Sequence, residues 1–232
     1  MSAHFHSPGL AIRGITPPLN WSSFKAIAFD MDSTLINIEC IDEIADAAGK
    51  KAEVAAITEA AMRGEITDFK DSLRRRVALL KGVPAESLAQ VYEQRLKLNP
   101  GAKALMDAAK AAGLHTLLVS GGFTFFAERV KSRLGMHEAH ANVLAIEGGV
   151  LTGEVIGDIV DGEAKKQHLT ALCARLGSPT SAAIAVGDGA NDLPMMGVAG
   201  LSVAYHAKPK VREQAMVSIQ EGGLDRLLEL IR

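Results

Sequence analysis

A short apolar run, Phe24 to Phe29, reads as a buried strand and stops abruptly at the acidic run Asp30-Met31-Asp32. After it the apolar positions take up helical spacing. They predict four helices, over about 40–48, 51–62, 68–81 and 85–97, broken at Gly49, Gly64 and the Gly82-Val83-Pro84 turn. From Asn99-Pro100-Gly101 onward the rhythm changes to alternation. A helix over about 101–112 leads to a strand over 114–119, and Gly121-Gly122 opens a helix over 123–134. A hairpin over about 141–156 pivots near Glu147-Gly148-Gly149. A helix over about 163–176 and a strand over 182–187 lead into Gly187-Asp188-Gly189, and shorter pieces complete the chain.

Strands alternating with helices predict an α/β fold: a doubly wound, mostly parallel sheet covered on both faces. The four-helix block interrupts this pattern directly after the first strand, so it reads as an inserted helical cap. The expected division is an N-terminal extension at 1–23, an α/β core at 24–38 and 99–232, and a cap at 39–98. In such sheets the site lies at the carboxyl ends of the strands. Three loops are thereby singled out, after Phe29, after Val119 and after Val186.

Composition narrows the classes. With 48% apolar residues the chain can bury a real core, and a net charge of −2 offers no electrostatic reason for a nucleic-acid or anionic-membrane partner. The two cysteines, Cys40 and Cys173, make neither a disulfide framework nor a zinc cluster, which suits a reducing compartment. Residues 1–20 lack the unbroken apolar core of a secretion signal, and no stretch approaches a membrane span. The expectation is a cytoplasmic protein acting on a small molecule, with its oligomeric state left open.

Each of the three loops carries reactive or phosphate-friendly groups. Asp30 and Asp32, two residues apart past a buried strand, are costly to desolvate and repel each other. Alone, such a pair is commonly a turn or helix-cap cluster. Val119-Ser120-Gly121-Gly122 presents a hydroxyl and bare backbone N–H groups, suited to phosphoryl oxygens, although an ordinary strand-to-helix turn has the same form. Leu118 stands where a serine-hydrolase elbow needs glycine, which disfavours a nucleophilic serine. In Gly187-Asp188-Gly189-Ala190-Asn191-Asp192 the carboxylates supply hard oxygen ligands for Mg²⁺, and the spacing of a calcium loop is absent. Lys165, usually just a solvated charge on a helix, would be the cation that this acidic site otherwise lacks. Together these groups make a phosphoryl-transfer kit in which a carboxylate nucleophile forms an aspartyl phosphate.

Phe29-Asp30-Met31-Asp32-Ser33-Thr34, Val119-Ser120-Gly121-Gly122, Lys165 and Gly187-Asp188-Gly189-Ala190-Asn191-Asp192 resemble the four ordered motifs of the haloacid dehalogenase superfamily. The likeness runs from about Phe24 to the C-terminus. Its cap segments, Ile38-Glu39-Cys40-Ile41-Asp42-Glu43 and Ser72-Leu73-Arg74-Arg75-Arg76-Val77, resemble those of the branch that hydrolyses phosphoserine. The resemblance implies Asp30 as nucleophile and Asp32 as general acid and base. It implies Mg²⁺ held by the Asp30 carboxylate, the Asp32 carbonyl and Asp188. Ser120, Gly121, Gly122 and Lys165 would hold the phosphoryl group, with Asn191 on the substrate side and Asp192 behind the metal.

The cap then bears on specificity. At about 100° per residue Leu73, Val77 and Leu80 form an apolar stripe from which Arg75 points away, while Arg76 borders it on the side of Phe69. Glu39, where the chain enters the cap, could simply favour a helix N-terminus. With Arg76 it offers an anion and a cation above the phosphate site, matching the ammonium and carboxylate of phosphoserine. The implied reaction is phosphoserine hydrolysis, the last step of serine biosynthesis. Competing expectations are a phosphatase or phosphotransferase for another small phosphorylated alcohol, and a non-catalytic Mg²⁺- or phosphate-binding module. Intact Asp30 and Asp32 speak against the module.

Overall fold

A computed structural model describes residues 3–62 and 65–232 of the chain. Gly64, expected as a helix break, lies outside the described residues. One nine-stranded sheet organises the molecule, in the order β1-β2-β9-β8-β7-β3-β4-β5-β6. Its centre is parallel: β9 (Val217–Ile219), β8 (Leu201–Tyr205), β7 (Ala183–Gly187), β3 (Ala26–Phe29), β4 (His115–Phe123) and β5 (Glu138–Glu147). β6 (Val150–Ile156) adds antiparallel to β5, forming the expected hairpin.

The innermost strands β3 and β7 are unbroken apolar runs, AIAF and AIAVG, because both faces are covered. Along β3 the alternate residues part company. Ile27 and Phe29 face a core shared with α5 (Ala102–Ala111) and α6 (Thr124–Leu134). Ala26 and Ala28 face the other layer, α7 (Gly162–Arg175) and α8 (Leu193–Val198). Register does the rest. Phe29 is paired with Leu118 on one side and with Val186 on the other. The loops that follow these residues therefore emerge at one edge, on either side of the strand where the winding reverses.

Two expectations change. β4 does not end at Val119 but runs through Ser120-Gly121-Gly122 to Phe123, and α6 starts only at Thr124. The pairing with β5 shifts register between Val119 and Phe123, so the glycines sit in an irregular stretch of strand. The N-terminal segment, for which the sequence suggested no element, forms β1 (His4–Ser7) and β2 (Leu10–Ile12); β2 pairs antiparallel with β9 and is buried.

Among the described residues four α-helices lie between β3 and α5: α1 (Cys40–Ala47), α2 (Lys51–Met62), α3 (Phe69–Ala78) and α4 (Glu86–Gln94). The chain leaves and returns through an antiparallel bridge, Ile36 to Leu98, where the Asn99 side chain donates to the carbonyls of Thr34 at 2.9 Å and Ile36 at 3.0 Å. A second attachment is made by β6: Gly82 donates to the Leu151 carbonyl and Leu151 to that of Val83, both at 2.8 Å. On α3, Leu73 and Val77 are buried, while Arg75 is exposed and paired with Asp71 at 2.8 Å.

Candidate active site

The segments that follow Phe29 and Val186 meet at Lys165. Its ammonium lies 2.7 Å from Asp30 Oδ1 and 2.7 Å from Asp192 Oδ1, with no exposure to solvent. A lysine is buried in this way only when it is paired. Burial pulls its pKa down, but the carboxylates of Asp192 and Asp30 hold it above the ordinary value. The helix that carries it is started by Asp161, whose side chain accepts the Ala164 N–H at 2.8 Å.

Asp192 is fully committed. Its Oδ2 accepts the N–H groups of Asp188 at 3.1 Å and Gly189 at 3.0 Å, so it shapes the loop as well as pairing Lys165. A Cβ on Gly187 would collide with this carboxylate, which explains the glycine. Asp30 Oδ1 also accepts the Met31 N–H at 2.7 Å, and Asp188 Oδ1 accepts the Thr34 hydroxyl at 3.1 Å. Among the described residues no donor reaches the second oxygen of Asp30 or of Asp188.

One carboxylate oxygen from each of Asp30, Asp188 and Asp192 lies within 4.8 Å of the other two. Burial first, then the charge of Asp192, push the Asp30 carboxyl well above its ordinary range; burial, Asp192 and Glu39 bring Asp188 to about 7. Three crowded carboxylates facing one ammonium leave an excess of negative charge. Such hard oxygen donors fit a divalent cation.

Asp32 stands slightly apart. Its Oδ2 accepts the Cys40 N–H at 3.1 Å and its Oδ1 the Cys40 thiol at 3.2 Å. Burial, with the Glu39 charge second, raises its carboxyl to about 7. Burial likewise pushes the Cys40 thiol well up, with Asp32 adding to it. At neutral pH Asp32 thus has access to both protonation states, as acid–base work needs.

Opposite lies Ser120, buried, its Oγ accepting the Gly122 N–H at 2.9 Å. The loop is clamped by Asn142, fully buried on β5. Asn142 donates to the Gly121 carbonyl and accepts the Val160 N–H, both at 2.8 Å. A Cβ added to Gly121 would lie 2.9 Å from the Phe69 ring, so glycine lets α3 come down onto the loop.

A cavity of about 420 Å³ opens above these groups. Asp30, Asp32, Ser120, Gly121, Gly122, Asp188 and Asn191 form its floor, and Phe69, Glu39 and Arg76 its upper wall; Lys165 and Asp192 lie beneath it. The Ser33 hydroxyl donates to Glu39 Oε1 at 2.6 Å, Ser33 itself taking a left-handed backbone with φ 56°. Burial raises the Glu39 carboxyl against the pull of Arg76, and burial lowers Arg76 against Asp42 and Glu39. A smaller hollow of about 330 Å³, lined by Lys25, Lys110, His115 and His137, opens beside the amino-terminal ends of β3 and β4 and holds none of these groups.

Every residue expected from the sequence therefore reaches one site. Sequence reasoning missed Thr34, Cys40 as a partner of Asp32, Asn142, and Lys208, which lines the cavity mouth. Lys208 stood in a run of surface-like charge. Asn142 was one of several polar residues in its strand, with no motif around it to mark it.

Residues 27–197 match the haloacid dehalogenase-like hydrolases, and the chain belongs to that family. Within it the chain stands with the phosphoserine phosphatases. It is 66% identical to the phosphoserine phosphatase of Polaromonas sp., over 97% of this chain and 98% of that one. A solved phosphoserine phosphatase carrying an analogue of the phospho-aspartyl intermediate has 40% identity and a TM-score of 0.84, covering 90% of this chain and 99% of that one. A substrate-bound phosphoserine phosphatase complex matches equally well, with 40% identity and a TM-score of 0.84 over 90% and 99% of the chains.

Proposed function

We propose that this protein hydrolyses O-phosphoserine to serine and inorganic phosphate through an aspartyl phosphate on Asp30. The observation that carries this reading is one cavity with the Asp30 and Asp32 carboxylates on its floor and both an anion, Glu39, and a cation, Arg76, in its upper wall. Residues 39–98 serve as the cap that brings this pair over the core. The likeness to phosphoserine phosphatases supports the same substrate.

Asp30 Oδ1 is engaged by Lys165 and the Met31 N–H, which leaves Oδ2 as the attacking atom. As its bond to phosphorus forms, the ester P–O bond breaks and the electron pair passes to the serine oxygen, which takes the Asp32 proton. The ionised Asp32 then removes a proton from water as the water oxygen bonds to phosphorus. The Asp30–phosphorus bond breaks, phosphate leaves, and both carboxyls return to their starting states. Ser120 and the Gly122 N–H face the phosphoryl oxygens, and Lys165 offsets the charge beneath them. Phe69 covers the phosphate loop and keeps bulk water out. Asp30, Asp188 and the Asp32 carbonyl would hold Mg²⁺, which when bound neutralises charge on the phosphoryl oxygens.

The Glu39 carboxylate would receive the substrate ammonium and Arg76 its carboxylate, with Asn191 beside them. No described helix is long and apolar enough to cross a membrane, and both cysteines are free and buried. These features are consistent with a cytoplasmic enzyme at the last step of serine biosynthesis. The test is inorganic phosphate released by the purified protein from L-phosphoserine, with and without Mg²⁺, beside a panel of other phosphorylated alcohols. Equal rates across the panel overturn the substrate, and no release from any member overturns the reaction.

A further inference from the structure

Both oxygens of the Asp32 carboxylate are bound by a single residue. Cys40 opens α1 and is fully buried; its backbone N–H reaches Oδ2 at 3.1 Å and its thiol reaches Oδ1 at 3.2 Å. Two donors from one residue define the plane of the carboxylate as well as its place. On the opposite side Asp32 meets the phosphate loop: a Cβ added to Gly122 would lie 3.1 Å from Oδ2. The carboxylate is thus held between the first turn of the helical insertion and the phosphate-binding glycines. Glu39, the residue before Cys40, is tied to Ser33, the residue after Asp32. Two neighbouring hydrogen-bonded links therefore join the start of α1 to the loop that follows the nucleophile.

A buried cysteine is most often a small apolar filler. Here the thiol has a charged acceptor, and that acceptor is the group that must deliver a proton. We propose that Cys40 is a positioning residue for the acid–base carboxylate, its thiol aligning Asp32 with the leaving oxygen and coupling proton delivery to the seating of α1. The inference rests on the acid–base role assigned to Asp32 above. In the step concerned the Asp30 oxygen bonds to phosphorus, the ester P–O bond breaks, and the leaving oxygen keeps the electron pair and takes the Asp32 proton. A tilted carboxyl hinders this in proportion to the basicity of the leaving oxygen. Nitrophenolate departs well without a proton, whereas phenolate, with a conjugate-acid pKa of about 10, benefits from one.

The experiment compares kcat/KM for phenyl phosphate and 4-nitrophenyl phosphate, since kcat/KM reports formation of the aspartyl phosphate and neither ester has groups for Glu39 or Arg76. Cys40→Ala removes the side-chain donor, Cys40→Val fills the volume without one, and Cys40→Ser restores one. The expected result is a loss of about fivefold on phenyl phosphate for the Ala and Val variants, with less than about twofold on 4-nitrophenyl phosphate, and recovery in Cys40→Ser. Equal losses on both esters, or a Ser variant no better than Ala, would reduce Cys40 to packing and overturn the proposal. Unmodified protein that turns over neither the two esters nor L-phosphoserine refutes the phosphatase reading and this proposal with it. Failure of the substrate assignment alone reads differently: both aryl esters turn over and L-phosphoserine does not.

Discussion

Asn142 holds the carbonyl of Gly121 at 2.8 Å, and through it sets the direction of the Gly122 N–H. The two groups belong to one planar trans peptide and point opposite ways. Anchoring the carbonyl in the core therefore turns the N–H towards Ser120 and the phosphate position. Asn142→Asp keeps the shape and the acceptor for Val160 but replaces the donor by a charge facing a carbonyl. We expect kcat to fall at least about tenfold and inhibition by inorganic phosphate to weaken, while inhibition by L-serine is unchanged. Parallel weakening of both inhibitors would show a general collapse of the site instead.

Asp30→Asn removes the attacking oxygen and also one of the carboxylates crowded around Lys165. Lys165 keeps its second partner, Asp192, at 2.7 Å, so the fold should survive the change. Turnover should vanish, with no phosphorylated protein detectable by mass spectrometry after mixing with substrate. More than a few per cent residual activity, with deamidation excluded, contradicts an aspartyl phosphate.

Metal dependence should follow pH. Asp188 has a carboxyl raised to about 7, so its protonated form, which favours the folded site, is lost as pH rises through that value. The ionised form that replaces it is the one a cation binds. Mg²⁺ should therefore raise the melting temperature more at about pH 8 than at about pH 5.5, and half-saturating Mg²⁺ should increase as pH falls below about 7. Asp188→Asn should flatten both trends. A Mg²⁺ shift that ignores pH would remove Asp188 from the metal site.

Three substitutions probe the upper wall. Removing one partner of an enclosed charge pair costs about 2–5 kcal/mol, so Glu39→Gln and Arg76→Ala should each lose at least tenfold in kcat/KM for phosphoserine. Both should lose much less on 4-nitrophenyl phosphate. Arg75→Ala is the control, because its side chain is 57% exposed and, among the described residues, paired with Asp71 on its own helix. A damaging Arg75→Ala, or equal losses on both substrates, would mean that the cap does not read the amino acid.

The sequence by itself determined most of the elements, the order of the acidic and glycine-rich motifs, and the sides of α3 that Arg75 and Arg76 take, one towards solvent and one towards the cavity. All of these follow from local period: a run of apolar residues, a glycine break, a helical phase of about 100° per residue. Tertiary structure decided what no local pattern encodes. His4–Ser7 and Leu10–Ile12 are strands because β2 finds β9 at the sheet edge, a pairing across nearly the whole chain, and β1 then pairs with β2. Thr34 reaches Asp188 over 154 residues and Asn142 reaches Gly121 over 21, distances at which spacing carries no signal. The ionisation of the site is likewise a property of the folded state. Asp32 and Asp188 come to about 7 because the aligned strand ends bury them beside other charges, and burial is what a list of residues does not contain.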